Sequence, residues 1–473
     1  MTMRSLSFAP LVALALCGCA VGPAYERPQV DVPAQWKLDD PWHVAQPDDA
    51  AMRGAWWKRF GDAQLDALED QALAASPTLE AATARLAQAR AGVDLSSAGL
   101  FPQISLGARA ARQRISANRP LASYTSPNFE TVQNDFTPSF NVAYEADLWG
   151  RVRSGVAASR ATAQQTEADW QNVRLVLTSD VAANYFNLRE LDVEIDVLAQ
   201  SIALQHRALD LAAARHDLGA TSGLDVAQQQ ALLDSTLTQV DVLKRQRDQF
   251  EHAIAALVGR PAPIFSLQSQ VADRTAPAVP VGIPSDVLQR RPDIASAERA
   301  MAAANAQIGV ARAAYYPSFI FGGAYGGESR MLSSLFDAPS IVWSLGVNAL
   351  QPLFDAGRTD ANVRIAEEGY KLSVANYRRS VLVAFQEVED GITGSAALDR
   401  AVTQGRLAVA SADKVLQIAN DRYEGGATSF SDVIIAQQSL LAAQRQLAQL
   451  TGQRMLVSVY LVKALGGDWI QNP

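Results

Sequence analysis

The sequence predicts a mainly α-helical chain with a small membrane β-barrel, built from a duplicated strand-strand-long helix-tip-helix unit. Three observations predict it. The stretch Arg215 to Val226 returns 207 residues later as Arg422 to Val433, with seven of twelve positions identical. Helical patterns of unusual length run into both copies. Four other segments change to the period-two alternation of strands.

Of 473 residues, 48% are hydrophobic and 19% charged, which places the chain among folded proteins. Residues 1–18 read as a bacterial export signal: Arg4 is the only charge, Leu6 to Leu16 is apolar, and Leu16-Cys17-Gly18-Cys19 forms a lipobox. That chemistry needs a small residue before the cut and a thiol after it. The Cys19 sulfur is expected to carry diacylglycerol, its freed amine an acyl chain. Both cysteines lie in this segment, so no disulfide is expected in the mature chain. Ala20, standing where an Asp would mark inner-membrane retention, points to the outer membrane. The formal net charge is −8, and −9 once Arg4 is removed, with no Lys/Arg cluster; nucleic acid is excluded as a partner. The longest uncharged candidate for a membrane helix, Ala338 to Phe354, is interrupted by Pro339, Ser344, Gly346, Asn348, Gln351 and Pro352. A bilayer crossing would therefore use strands.

Taken in order, residues 19–55 form a Pro-rich, lipid-anchored tether. The first structural repeat spans 56–258. Trp56-Trp57-Lys58-Arg59-Phe60-Gly61-Asp62 is expected to open its first helix, with Leu65 and Leu68 on one face and the Trp pair as a packing anchor. Ser76-Pro77 starts a second helix, carried by Leu79, Ala82, Leu86, Ala89 and Val93 to Gly99 and stopped by Pro102. A β-hairpin follows over 103–148, with strands at 103–112 and 136–148 around a long polar loop. Phe140, Val142, Tyr144 and Ala146 alternate there with Asn141, Ala143, Glu145 and Asp147.

Leu148-Trp149-Gly150-Arg151 turns the chain into a long helix, 151–218, which no Pro interrupts. At 1.5 Å per residue it spans roughly 100 Å, longer than any globular core. Val181, Leu188, Leu191, Ile195, Leu198, Ile202 and Leu209 give it a coiled-coil-like seam. The first tip, 215–226, reads as one helix stopping at Gly219 and another starting after Thr221-Ser222, with Asp225 in its first turn. The return helix runs to Val258, and the Ser76 to Gly99 helix is expected to stack on it end to end. After a Pro-rich linker, 259–284, the second repeat spans 285–473. A helix starts at Arg290-Arg291-Pro292-Asp293-Ile294 and ends at Tyr315-Tyr316-Pro317; β segments follow at 318–353. Phe354-Asp355-Ala356-Gly357-Arg358 makes the second strand-to-helix turn, then come the long helix 358–425, the tip 422–433 and a return helix ended by Gly466-Gly467.

Four strands cannot close a barrel, and an open sheet edge is not tolerated in lipid. The membrane part must be shared between copies: two give eight strands with a filled interior, three give twelve and room for a channel.

The chain resembles the TolC-like outer-membrane efflux channel family, close to the NodT-type lipoprotein partners of resistance-nodulation-division pumps. The resemblance is carried by Cys19-Ala20-Val21-Gly22-Pro23, Trp56-Trp57 to Asp62, Tyr144 to Arg151, Pro284-Ser285 to Ile294, Phe354 to Arg358, and both tips. It implies a homotrimer forming a 12-stranded β-barrel continued by a long periplasmic α-helical barrel. It also implies the outer-membrane channel of a tripartite efflux system: a passive exit duct for small molecules, joined through a periplasmic adaptor (membrane fusion) protein to an inner-membrane resistance-nodulation-division pump.

The resemblance places Asp225 and Asp432 at the periplasmic constriction and Tyr423 among the residues that hold it closed. Arg215 and Arg422 are candidates to latch the tips by pairing with a neighbouring acid. Gly219, Ala220, Thr221 and Ser222, with Gly426, Ala427, Thr428 and Ser429, form the turns where the adaptor would dock. Helix capping accounts for the Asp residues and the turn composition equally well. Gln228 and Ile435 stand where some relatives carry a further carboxylate, so a second acidic ring is not expected. The four histidines, His43, His206, His216 and His252, lack metal-ligand spacing, and no phosphate loop or nucleophile elbow appears. No enzyme, metal or cofactor is expected beyond the lipid on Cys19. The alternatives are a type I secretion duct and a non-conducting structural lipoprotein spanning the periplasm.

Overall fold

The structure, a computed structural model, describes residues 21–28, 32, 33, 35, 36, 54–118, 131–272, 274–279, 284, 287 and 290–467. The export signal, Cys19, most of the tether and His43 lie outside the described residues. Trp56–Phe60 form a 3-10 turn, which corrects the expected helix start. Gly61 takes φ 62°, breaking helical continuity, and the Asp62 carboxylate then accepts from the Gln64 and Leu65 N–H groups to cap α1, Ala63–Ala75. The two Trp side chains are buried beside it, and the Trp56 ring nitrogen donates to Thr178 at 3.2 Å.

The further elements are α2 (Pro77–Ala98), β1 (Gln103–Ile115), β2 (Thr131–Ala146), α3 (Arg151–Asp217), α4 (Gly223–Leu257), α5 (Pro292–Ala313), β3 (Ser318–Gly327), β4 (Ile341–Leu350), α6 (Arg358–Glu424) and α7 (Phe430–Ala464). The duplication reaches residue by residue through the helices. The long helices α3 and α6 both have 67 residues, the return helices α4 and α7 both 35, and α2 and α5 both 22. Both long helices start on an aspartate cap. Asp147 accepts from the Val152 and Arg153 N–H groups, and Asp355 from those of Gly357 and Thr359. All four long or returning helices end on a glycine of positive φ: Gly219, Gly259, Gly426 and Gly466. In each case the next N–H reaches back five residues, as in Ala220 to Arg215 and Ala427 to Arg422, both at 2.8 Å.

The four strands form one antiparallel sheet in the order β1-β2-β3-β4. β1 runs past Arg112 to Ile115 and β2 begins at Thr131, so the hairpin loop is shorter than the sequence suggested. Cross-strand pairing prolongs both strands beyond the point where their alternation fades. The register sorts the side chains. Leu106, Phe140, Tyr325 and Trp343 form one row, and Ile104, Val142, Gly323 and Leu345 the next, all on one face and largely exposed. The opposite face carries small and polar residues, among them Ser105, Asn141, Ala324 and Ser344. From Phe136 to Tyr144 along β2 the apolar face is about 27 Å tall, near the roughly 25 Å band of membrane barrels. Among the described residues neither outer edge, of β1 or of β4, is paired with another strand.

The chain divides into two compact units that cut across the repeats. Of the described residues, those within 21–28, 86–166 and 297–377 form one, and those within 32–85, 167–296 and 378–467 the other. In the first, residues 21–28 run from the turn before α3 along α5 and α6. The Val21 N–H reaches the Trp149 carbonyl at 3.4 Å, Asn305 donates to the Pro23 carbonyl at 3.0 Å, and Arg27 donates to the Tyr377 hydroxyl at 3.0 Å. In the second, the α3 seam is buried at Val181, Leu188, Leu191 and Leu198 and half-buried at Ile202 and Leu209.

The end-to-end stacking of helices is visible at Gly259, which closes α4 against the α1–α2 junction. A Cβ there would lie 2.3 Å from the Ala75 carbonyl oxygen, at φ +71°. Gly259→Ala is therefore expected to cost at least about 2 kcal/mol in denaturant unfolding of the purified protein. Gly92→Ala, whose Cβ would meet nothing within 4 Å, should leave stability unchanged or slightly raised.

Candidate functional site

The two tips pack on each other. A buried cluster of Ala212 from α3, Leu416 from α6, and Phe430, Val433 and Leu440 from α7 is extended by Val226 of α4 and Tyr423 of α6. All four helices are thereby fixed just behind their turns.

Above this cluster the Arg215 guanidinium lies 4.8 Å from the centroid of the Tyr423 ring, joining the end of α3 to the end of α6. Phe430 backs the same ring at 5.0 Å. Arg215 thus partners an aromatic face of the other tip. Sequence reasoning assigned it an acid; the usable signal was that both tips place an aromatic ring directly after the arginine, His216 after Arg215 and Tyr423 after Arg422.

Asp225 and Asp432 stand in the first turns of the return helices. Each accepts from the threonine four residues earlier, Thr221 and Thr428 respectively. Asp432 also accepts from the Ser429 N–H at 3.2 Å and hydroxyl at 3.1 Å. The Thr428 and Ser429 hydroxyls hold its carboxyl below the usual carboxylate range. Both carboxylates are therefore integrated with the caps of α4 and α7. The turn residues Gly219, Ala220, Ser222, Gly426, Ala427 and Ser429 are exposed, with Thr221 and Thr428 half-buried beside them. Gln228 is half-buried and Ile435 exposed.

The tips differ in two ways the sequence reading passed over. Leu218 and Leu224 are 84% and 64% exposed on the first tip, where the second carries Gly425 and Ser431. His216, in the place of Tyr423, lies over Gly223 rather than an aromatic ring, with its Nδ1 3.1 Å from the Thr221 carbonyl oxygen. Among the described residues no group of His, Cys, Asp and Glu is arranged to hold a metal, and no helix is long and apolar enough to cross a membrane.

The family model described as "Outer membrane efflux protein" matches residues 68–260 and 283–467, breaking between the two repeats. The chain belongs to the outer membrane efflux protein family. It is similar to the pyoverdine export outer membrane protein OpmQ of Pseudomonas aeruginosa, 30% identical over 99% of this chain and 98% of the relative. It is also similar to the cation efflux system protein CusC of Escherichia coli O6:H1, 32% identical over 97% of this chain and 98% of the relative. Among solved structures, the outer membrane channel CmeC of Campylobacter jejuni superposes with a TM-score of 0.88 at 26% identity, covering 95% of each chain. Family and neighbours place this protein in the outer membrane as a component of an efflux system. The fold is that of TolC-like channels.

Proposed function

We propose that three copies close a twelve-stranded barrel, continued into the periplasm by their helices, as a passive exit duct for small molecules gated at the tips. The observation that carries this is the sheet: four antiparallel strands, one continuous apolar face and two unpaired edges. Lipid does not tolerate such edges, so other copies must pair with them. Three copies give the smallest barrel of this series with an open lumen.

In this reading Cys19 carries the lipid, two residues before the point where Val21 meets the Trp149 carbonyl. A periplasmic adaptor docks on the Gly-Ala-Thr-Ser turns, and a resistance-nodulation-division pump supplies substrate and energy, so the duct itself needs neither cofactor nor catalysis. Relatives are named for pyoverdine, cations and toluene, in keeping with a duct whose cargo is chosen by its pump.

Purified protein in a planar bilayer should give small, rare openings. In the Asp225→Ala/Asp432→Ala variant the caps that hold Thr221 and Thr428 are lost, and openings should become at least several-fold more frequent. A stable trimer that conducts in neither form would point instead to a non-conducting spacer.

A further inference from the structure

The repeat gives each residue of the first tip a counterpart 207 positions on: Arg422 for Arg215, Tyr423 for His216, Phe430 for Gly223. The tips of one chain do not meet symmetrically. The arginine of the first lies over the aromatic ring of the second, a head-to-tail contact. This leaves one of each group unused. Arg422 is exposed and lies over no aromatic ring among the described residues, its charge acting on the Asp432 carboxylate of its own tip; the His216 ring is exposed at the other end. A head-to-tail contact with both ends open either grows into a filament or closes into a ring.

We propose that Arg422 of each copy stacks on His216 of the next, so that the closed ring of six tips alternates three arginine–tyrosine joints within chains with three arginine–histidine joints between them. The histidine joints are the ones that part on acidification. This rests on the trimeric reading of the sheet.

The two kinds of joint are unequal by construction. Tyr423 is backed by Phe430 and packed into a buried cluster. His216 has Gly223 in that place. Because a carbonyl only accepts, the contact with Thr221 requires a proton on Nδ1, which leaves Nε2 as the basic nitrogen. A neutral imidazole offers its face to a guanidinium. An imidazolium beside Arg422 sets two cations together. Imidazoles change charge in the range of about pH 5 to 8, where tyrosine does not. The charged groups nearest His216 along the first tip are its chain neighbours Arg215 and Asp217 and, through Thr221, Asp225 of α4; in the proposed ring, Arg422, Glu424 and Asp432 of the neighbouring copy join them. Acidification therefore loosens the seams between copies while the joints within each chain hold.

Cys17 and Cys19 are the chain's only cysteines, so introduced thiols report cleanly. In the lipidated trimer, His216→Cys/Arg422→Cys treated with a short bis-maleimide should give covalent dimers and trimers on a denaturing gel. A bis-maleimide is used because an arginine-to-ring contact separates Cα atoms beyond the roughly 7 Å a disulfide spans. Arg215→Cys/Tyr423→Cys should link only within chains. Failure of the first pair, with the second linking and native mass confirming a trimer, overturns the joint; a native mass other than a trimer's overturns the assembly beneath it. In bilayers, wild-type openings should rise several-fold from pH 7.5 to 5.5. His216→Tyr, which gives every joint an arginine on a tyrosine ring, should open less at pH 7.5 and lose that rise. An unaltered pH response in His216→Tyr overturns the histidine's role.

Discussion

Asp192→Ala should destabilise the protein by about 3–5 kcal/mol, read as a lowered denaturation midpoint of the purified protein in detergent. Asp192 is 1% exposed in the middle of α3 and neutralises two arginines from opposite sides. Arg189, itself buried, donates to one carboxylate oxygen at 2.5 Å, and Arg247 of α4 donates to the other at 2.7 Å. The backbone N–H of Gln270 adds a third bond at 3.1 Å. The same arginines hold the linker after α4, Arg189 through the Gln268 carbonyl at 2.8 Å and Arg247 through the Leu267 carbonyl at 2.6 Å. Removing the carboxylate strands the Arg189 charge in the interior and releases the linker. Asp192→Asn keeps one acceptor and should fall between wild type and alanine. A loss below about 1 kcal/mol for Asp192→Ala would mean that the charge cluster is solvated in the assembled protein.

This network also marks where sequence reading stops. Asp192 lies beside Leu191 in the seam, and a carboxylate there reads as a solvated flank; besides Arg189 one turn away, its partners come from 55 and 78 residues away, on α4 and in a linker with no pattern of its own. The tips were legible because capping is local. Glycine, Thr-Ser and aspartate within eleven residues state the end of one helix and the start of the next, and a 67-residue run without proline states the length of the helix before it. Trp56 to Phe60 misled because two tryptophans and a phenylalanine suit a helix face, whereas Gly61 in the left-handed region and the Asp62 cap decide the start. The Arg215–Tyr423 joint was half visible: both residues were singled out, and only the fold showed that each is the other's partner.

Glu69→Gln should abolish much of the loss of stability that the wild-type protein shows between mildly acidic and alkaline pH. Glu69 is fully buried on α1, and among the described residues neither carboxylate oxygen has a hydrogen-bond partner. Burial, helped by the nearby Asp70 and Asp66 charges, pushes its pKa to about 9. The folded protein therefore keeps the carboxyl protonated at neutral pH, while the unfolded chain ionises it near pH 4.5. Between those values the folded state binds the extra proton, so stability falls as pH rises, from about 4.5 until the folded state also titrates near 9. At pH 7 the difference amounts to about 3 kcal/mol, and it is small at pH 5. Glutamine never ionises, so the variant should match wild type near pH 5 and exceed it by a few kcal/mol at pH 8, less the cost of an unpaired amide. Some slope will survive below pH 7. Glu190, raised to about 7 by burial and then by Glu194, loses stability over the same lower range. Thermal unfolding of both proteins at pH 5, 7 and 8.5 separates the two carboxyls, and parallel curves at every pH would show that a cation reaches Glu69 in the assembled channel.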